Sequence, residues 1–363
     1  MSELDPNPVS PDQPGVLVIG AGLIGTSIAL ALTEHGHRVH LADRTPSHAL
    51  VAAGLGAGTI DPPTNIGLVI VAVPPSVCGK VVVKALKKYP GATVTDVASV
   101  KAPVLAAVLA QGGDVARYVG SHPMAGSHRS GPLTARADLF VDRTWVIAAH
   151  DGADPASVAK VRALAQLCGS QIEVMDPHEH DLAVAEVSHV PQIVSSLMAG
   201  NLADVAPAHL RLAGQGVRDV TRIAASDETM WTQIITANRE AIGVRLDELS
   251  AALDNIRTQL DSPQVVAQFI RDGIQGTKTL PGKHGRLPED YQYLVVEIPD
   301  SPGALARLFA DVGAAGVSVE DLRLEHDPAR EVGFLSIAVE PDQAETLMGL
   351  MRQAGWSVTE AAG

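Results

Sequence analysis

The run Val16-Leu17-Val18-Ile19 followed by Gly20-Ala21-Gly22-Leu23-Ile24-Gly25 constrains this chain more than any other feature. A short apolar stretch ending in a glycine turn reads as a buried parallel strand. The segment Thr26 to His35 then reads as a helix stopped at Gly36. In a strand–turn–helix of this kind the first glycine permits the tight turn. The second lets backbone approach a pyrophosphate, and the third lets helix and strand pack closely. The free N–H groups of the helix start then face the phosphates. Leu23 and Ile24 lie within that cradle, and Asp43 ends the next strand, where a ribose-binding acid is expected. A carboxylate there repels a 2′-phosphate and favours NAD. The adjacent Arg44 leaves NADP open, because it could pair with a phosphate or stack on adenine.

Further apolar runs at Val39–Asp43, Leu68–Val73, Thr93–Val97 and Trp145–Ala149 alternate with helical segments. That alternation predicts a Rossmann-type, doubly wound parallel sheet. Val73 and Pro74 close the third strand at the edge where such sheets bind ligands, and are placed at the cofactor. From His178 to about Ile270 the pattern turns wholly helical, with helices over Glu179–Leu202, Pro207–Leu212 and Asp227–Leu260. The stretch Gly273–Asp290, rich in Gly, Lys and Pro, reads as a linker. Tyr291–Val358 returns to a βαββαβ pattern in about 70 residues, enough for one small domain. The expected divisions are a flexible N-terminus (1–14), a dinucleotide-binding domain (15–177), a helical domain (178–275), a linker (276–289) and a small βαββαβ domain (290–363).

Composition narrows the function. The chain has 363 residues, 46% of them hydrophobic, with only 3% aromatics and a net charge of −14. Few stacking groups and an acidic field both argue against nucleic acid. An anionic substrate therefore needs a local basic cluster. Cys78 and Cys168 sit in aliphatic surroundings without redox or metal spacing, and read as buried free thiols. The N-terminal residues lack the pattern of a secretory leader, and no apolar run reads as membrane-spanning. A cytoplasmic protein is the expectation.

Three segments carry candidate chemistry. Asp96-Val97-Ala98-Ser99-Val100-Lys101 follows a strand end. Gly120-Ser121-His122-Pro123-Met124-Ala125-Gly126 reads as a tight, ordered loop holding a histidine, the natural base near neutral pH. Arg218 and Arg222 lie one helical turn apart and could grip a carboxylate, or pair with Asp219 and Asp227. His178-Glu179-His180-Asp181 has a metal-like look, but its histidines point to different helix faces. It reads instead as a helix start capped by Asp176 with Pro177 in first position, and no metal is assigned.

Taken in order, Gly-Ala-Gly-Leu-Ile-Gly-Thr-Ser, Asp-Val-Ala-Ser-Val-Lys, Ser-His-Pro-Met-Ala-Gly, Ser-His-Val-Pro at Ser188–Pro191 and Thr-Arg-Ile-Ala-Ala-Ser-Asp at Thr221–Asp227 resemble the prephenate/arogenate dehydrogenases of tyrosine biosynthesis. The C-terminal unit, with Asp300-Ser301-Pro302-Gly303-Ala304-Leu305, resembles an ACT domain. The resemblance implies NAD-dependent oxidative decarboxylation of prephenate to 4-hydroxyphenylpyruvate, in a homodimer held through the helical domain. It implies that His122 is the base, that Ser99 orients the substrate hydroxyl, and that Arg222 anchors a carboxylate. Ser188, His189 and Gln192 would line the pocket. It also implies feedback by an aromatic amino acid, tyrosine above all, at the ACT-like unit.

The chain departs from the family pattern twice. Gln192 stands where the family often has His, which shifts weight toward arogenate, whose ammonium tolerates a neutral partner. His128 stands where Glu is usual, which removes an ion pair open to Arg218. A β-hydroxy-acid dehydrogenase on the same fold, and a nucleotide and amino-acid sensor without turnover, are the competing readings. The presence of His122 speaks against the second.

Overall fold

The computed structural model describes residues 14–125, 131–280, 291–299, 301–327 and 332–360. His128 and the first thirteen residues lie outside them, as does most of the expected linker. The chain divides into two compact units, Met1–Ala251 and Ala252–Gly363.

The first unit is built on a seven-stranded sheet in the order β2-β1-β3-β4-β5-β6-β7. Its strands are β1 (Gly15–Ile19), β2 (Val39–Ala42), β3 (Ile66–Val71), β4 (Thr93–Asp96), β5 (Tyr118–Pro123), β6 (Thr144–Ala148) and β7 (Gln171–Met175). The first five run parallel. β6 pairs antiparallel to β5, and β7 runs with β6. The sheet is therefore not wholly parallel as expected, for a physical reason. The chain between β5 and β6 has only 3-10 turns at Pro132–Thr134 and Ala137–Phe140 among its described residues. With no helix to carry it back across the sheet, β6 must start at the edge where β5 ended.

Helices cover both faces. These are α1 (Leu23–Glu34), α2 (Pro46–Gly54), α3 (Pro75–Lys88), α4 (Ala102–Ala110) and α5 (Pro155–Leu167). Ile28, Leu32 and Leu164 pack under one face with Val16 and Ile70, while Val82, Leu86, Val104 and Val108 pack under the other with Leu17 and Val69. The order turns outward in both directions from β1 and β3, which opens a ligand crevice at their C-terminal ends.

A second expectation fails here. Gly120–Pro123 is not a loop but the end of β5, with His122 opposite Val146 on β6. Gly120 serves close packing: a Cβ there would lie 3.1 Å from the Tyr118 hydroxyl and 3.2 Å from the Lys101 stem. Pro123 is tolerated because it is the last strand residue.

The helical run begins at α6 (Pro177–Val184), capped as expected by Asp176, whose carboxylate accepts the His178 N–H at 2.7 Å. It continues through a π-turn at Ala185–His189 into α7 (Val190–Asn201). Pro191 explains the widened turn: it has no N–H to give, and the Val190 N–H bonds instead to Ala185 O. The stretch Pro177–Asp204 is long and apolar enough, by length and composition alone, to cross a membrane, a test that the core helix of a globular protein also passes. It carries buried His180, Asp181, His189 and Gln192. Beyond it come α8 (Pro207–Leu210), α9 (Gln215–Thr221), a 3-10 turn at Arg222–Ala224, α10 (Glu228–Ala237) and α11 (Arg239–Thr258). The single helix expected over Asp227–Leu260 is broken at Asn238, the C-cap of α10.

In the second unit, α12 (Pro263–Lys278) corrects the expected start of the linker. Apolar residues at Val266, Phe269, Ile270 and Ile274 keep helical spacing through Gly273 and Gly276. A four-stranded antiparallel sheet follows, ordered β11-β8-β10-β9. It comprises β8 (Gln292–Pro299), β9 (Asp321–Asp327), β10 (Val332–Val339) and β11 (Ser357–Glu360), with α13 (Ala304–Ala314) and α14 (Pro341–Gln353). Leu294, Val296 and Ile298 point to one face with period two and meet Leu308, Leu347 and Trp356.

Candidate active site

The glycine turn has the geometry a dinucleotide needs. Gly20 has φ +106° and a Cβ there would lie 2.1 Å from Ala72 O; at Gly25 it would lie 1.9 Å from Gly20 O. Gly22 is different. A Cβ there meets nothing within 4 Å, and the residue faces open space in two adjoining cavities. A side chain would fill the room a pyrophosphate needs. Gly22 is also the N-cap of α1, which has no side-chain cap, so its first N–H groups face the cavities unshielded. The Asp43 carboxylate accepts the Ala21 N–H at 2.7 Å and the Thr45 N–H at 2.7 Å, which locks the acid beside the turn.

The first cavity, about 600 Å³, is lined by Gly20, Asp43, Arg44, Val73 and Pro74. The second, about 500 Å³, is lined by Leu23, Ile24, Gly25, Val73, Pro74, Ser99 and His122, and on its far side by Asp227, Met230 and Gln233 of the helical segment. Gln233 lines both and accepts the Ser76 hydroxyl at 2.7 Å, a bridge from α10 to the start of α3. These residues fit a dinucleotide laid across both cavities.

Under Ser99 and His122 lies a buried ion pair. The Lys101 ammonium, 1% exposed, donates to Asp96 and to Ser121 O at 2.6 Å. Asp96 also accepts the Tyr118 hydroxyl at 2.7 Å and the Ala98 N–H at 3.0 Å. Buried charges persist only when paired and fully hydrogen-bonded. The pair ties the ends of β4 and β5 together. Burial pushes the His122 pKa well below the ordinary 6.5, helped by its neighbours His180, Lys101 and His189.

Behind His122 stands a row of polar side chains. His122 Nδ1 lies 2.9 Å from His180 Nε2, and His180 Nδ1 lies 2.8 Å from the Asp181 carboxylate. Asp181 in turn accepts the N–H groups of Lys101 and Ala102 at 2.8 and 2.9 Å, capping α4 from a distant segment. The Asn238 amide donates to Asp181 O at 2.8 Å and meets His189 Nδ1 at 3.0 Å. Burial holds His189 down at about 4, with Asp181 opposing and His180 adding to the shift.

Ser99, His122 and the cofactor residues thus surround adjoining cavities, and His189 joins them through Asn238. Ser188, Gln192 and Arg222 do not line either cavity. Gln192 is buried on α7 with its amide on the Ser196 hydroxyl at 3.3 Å. Arg222 is exposed on the 3-10 turn packed against α7, and Asp219 and Asp227 are engaged elsewhere, with Gln215 and with the Met230 N–H. Sequence reasoning missed His180, Asp181, Asn238, Lys101 and Gln233 as parts of the site. A signal existed for three of them: Lys101 closes the segment Asp96–Lys101, and His180 and Asp181 belong to the polar quartet His178–Asp181.

Fold and site together define a two-sided, dinucleotide-dependent dehydrogenase. The family model for the nucleotide-binding domain of prephenate dehydrogenase matches residues 28–174, and that for its dimerization domain matches residues 176–270. The chain belongs to the prephenate dehydrogenase family and, as a member, is an NAD-dependent dehydrogenase. It is 34% identical over 355 residues to a probable prephenate dehydrogenase of Streptomyces niveus, covering 94% of this chain and 98% of that one. It is 29% identical over 350 residues to the prephenate dehydrogenase of Bacillus subtilis, covering 90% and 92%. Among solved structures, Synechocystis arogenate dehydrogenase superposes with a TM-score of 0.64 at 26% identity, over 73% of this chain and all 100% of that one. Prephenate dehydrogenase from A. aeolicus, in complex with NAD+ and hydroxyphenyl propionate, shares the fold with a TM-score of 0.66 at 24% identity, over 74% and 98%.

Proposed function

We propose that this chain oxidises and decarboxylates prephenate to 4-hydroxyphenylpyruvate in tyrosine biosynthesis. The observation that carries the proposal is His122 at the wall of a cavity continuous with the glycine cradle, backed by groups that keep it neutral. NAD, when bound, supplies the acceptor for the hydride that leaves the carbinol carbon. His122 takes the hydroxyl proton on its free ring nitrogen. Loss of the ring carboxylate as CO2 leaves its bonding pair to complete the aromatic ring, and His122 returns the proton to the phenolate oxygen. Ser99, on the same cavity wall, orients the hydroxyl. Ser188, His189, Gln192 and Arg222 contribute from the helical segment, with Arg222 holding a carboxylate. Steady-state rates with prephenate and arogenate, each with NAD and NADP, test the reading. The expected result is NADH formation from prephenate, and no turnover of either substrate overturns it. Arogenate is the second reading, favoured by the buried, uncharged Gln192.

The same proposal covers the organisation of the chain. It assigns residues 15–177 to the dinucleotide, 178–275 to substrate and a homodimer, and 290–363 to an ACT-like module. The βαββαβ order and the β11-β8-β10-β9 sheet support the last assignment. A cavity of about 310 Å³ lined by Pro299, Ser301, Gly303, Ala304 and Leu324 would take tyrosine as an effector. Tyrosine titrated against the full chain and against a chain ending at about Pro288 tests this, and equal inhibition of both places the effector elsewhere. The family's biosynthetic role supports a cytoplasmic location.

A further inference from the structure

We propose that His180 and Asp181 are positioning residues that fix the tautomer of His122, so that Nε2 of His122 carries the lone pair offered to the substrate. The proposal rests on reading His122 as the base. It follows from counting donors and acceptors along one buried row.

Asp181 is the fixed end. Its carboxylate already accepts two backbone N–H groups at the start of α4, from Lys101 and Ala102. A carboxylate so held is an acceptor, so the nitrogen facing it, His180 Nδ1 at 2.8 Å, must carry hydrogen. In a neutral imidazole the other nitrogen is then an acceptor. His180 Nε2, 2.9 Å from His122 Nδ1, therefore requires hydrogen on that Nδ1. This leaves Nε2 of His122 bare. His180 is fully buried, so no water competes for either nitrogen.

The same logic sets His189 the opposite way. Asp181 O can only accept, so it pins the Asn238 NH2 group, which then donates to His189 Nδ1 as well. His189 keeps its proton on Nε2 and is a neutral donor. Two histidines tied to one residue, Asp181, thus hold complementary roles, one an acceptor and one a donor. Asp181 also ties this row to the helix that follows Ser99, so orientation of the hydroxyl and preparation of the base share one anchor.

The groups facing His122 are His180 and Asp181 from α6, Lys101 with Asp96 from the β4–α4 connection, His189 from the π-turn and Asp227 at the cavity wall. Removing the side chain at position 180 takes away the acceptor for the His122 Nδ1–H together with one of the neighbours that lower the His122 pKa, so the acid limb of kcat/KM moves.

Long-range 1H–15N spectra of the full chain labelled at histidine test the assignment directly. His122 is expected as the neutral Nδ1–H tautomer at pH 7 and His189 as the Nε2–H tautomer; the reverse assignment for His122 overturns the proposal. In kinetics, His180→Phe is expected to lower kcat about 10- to 100-fold with KM for NAD unchanged. His180→Gln, whose carbonyl oxygen can accept the Nδ1–H and whose amide can donate to Asp181, is expected to recover most of that loss. Equal loss in both variants with an unmoved acid limb would mean a merely structural role and overturn the proposal. Should His180→Phe fail to fold, the spectra and His180→Gln still decide. Full turnover in His122→Asn would sink the base assignment instead, and leaves the tautomer spectra to stand on their own.

Discussion

The two halves of the site are made of different material. Around Gly20–Gly25 the decisive contacts are backbone ones: a carbonyl 1.9 Å from where a Gly25 side chain would begin, and the Ala21 N–H on Asp43. Around His122 they are made by side chains, His122 on His180 and His180 on Asp181, with the Asn238 amide joining the Asp181 carbonyl to His189; His180, Asp181, Asn238 and His189 are all buried. A dinucleotide offers phosphates and hydroxyls that shape and N–H groups can hold. A proton transfer needs one nitrogen in one protonation state, and that takes a chain of donors and acceptors shielded from water. The cradle should therefore fail in binding and the frame in turnover.

The largest effect expected comes from the frame. His122→Asn should reduce kcat by about 10² to 10⁴ while NAD affinity, read by fluorescence titration, stays within about twofold. A parallel loss of NAD affinity would erase the distinction between the halves. The converse change is Gly25→Val. Its Cβ cannot fit beside Gly20 O, so the turn must shift, at a cost of about 1 to 3 kcal/mol in stability. KM for NAD is expected to rise about tenfold or more, with kcat at saturating NAD reduced far less than in His122→Asn. A change confined to kcat would break the comparison.

A smaller effect separates the frame by pH. His189 is held at about 4 against an ordinary 6.5, so the unfolded chain binds the proton that the folded chain refuses. Its contribution to stability is present above pH 6.5 and is lost as pH falls from 6.5 toward 4. His189→Asn keeps an acceptor for Asn238 but cannot titrate. The Tm of this variant should fall less steeply than that of the parent across this window. Parallel slopes would show that other groups carry the acid sensitivity.

The difference in material also explains what could be read from sequence. Gly20, Gly22, Gly25 and Asp43 announce themselves because a turn of fixed shape demands glycines at fixed spacing, and the structure puts them around the adjoining cavities. The frame has no such spacing. His180 and Asp181 meet His122 from 58 and 59 positions away, counted along the chain, and only the folded sheet edge brings them together. His180 read as a helix-start residue because its partner lay on another element. Gly120 and Pro123 suggested a loop, yet Gly120 is small to admit Lys101 and Pro123 ends a strand. The break at Asn238 was hidden in a helical pattern, because nothing local shows that its amide is needed by Asp181 and His189.

The smallest effect concerns Gln192, which lies between the two halves in character: buried like the frame, yet neutral and outside its hydrogen-bonded row. Gln192→His would place a titratable group at this position of α7. Once protonated it adds one positive charge, worth about 1 kcal/mol at 4 Å in a water-like medium, which is about a fivefold shift in kcat/KM toward prephenate over arogenate. Burial opposes protonation, so the shift should grow below pH 6.5 and fade above it. The ratio of the two substrates' kcat/KM, measured at pH 5.5 and pH 8, checks both the size and the sign. A ratio that does not change with pH would remove position 192 from the choice of substrate and leave that choice to the groups around Arg222.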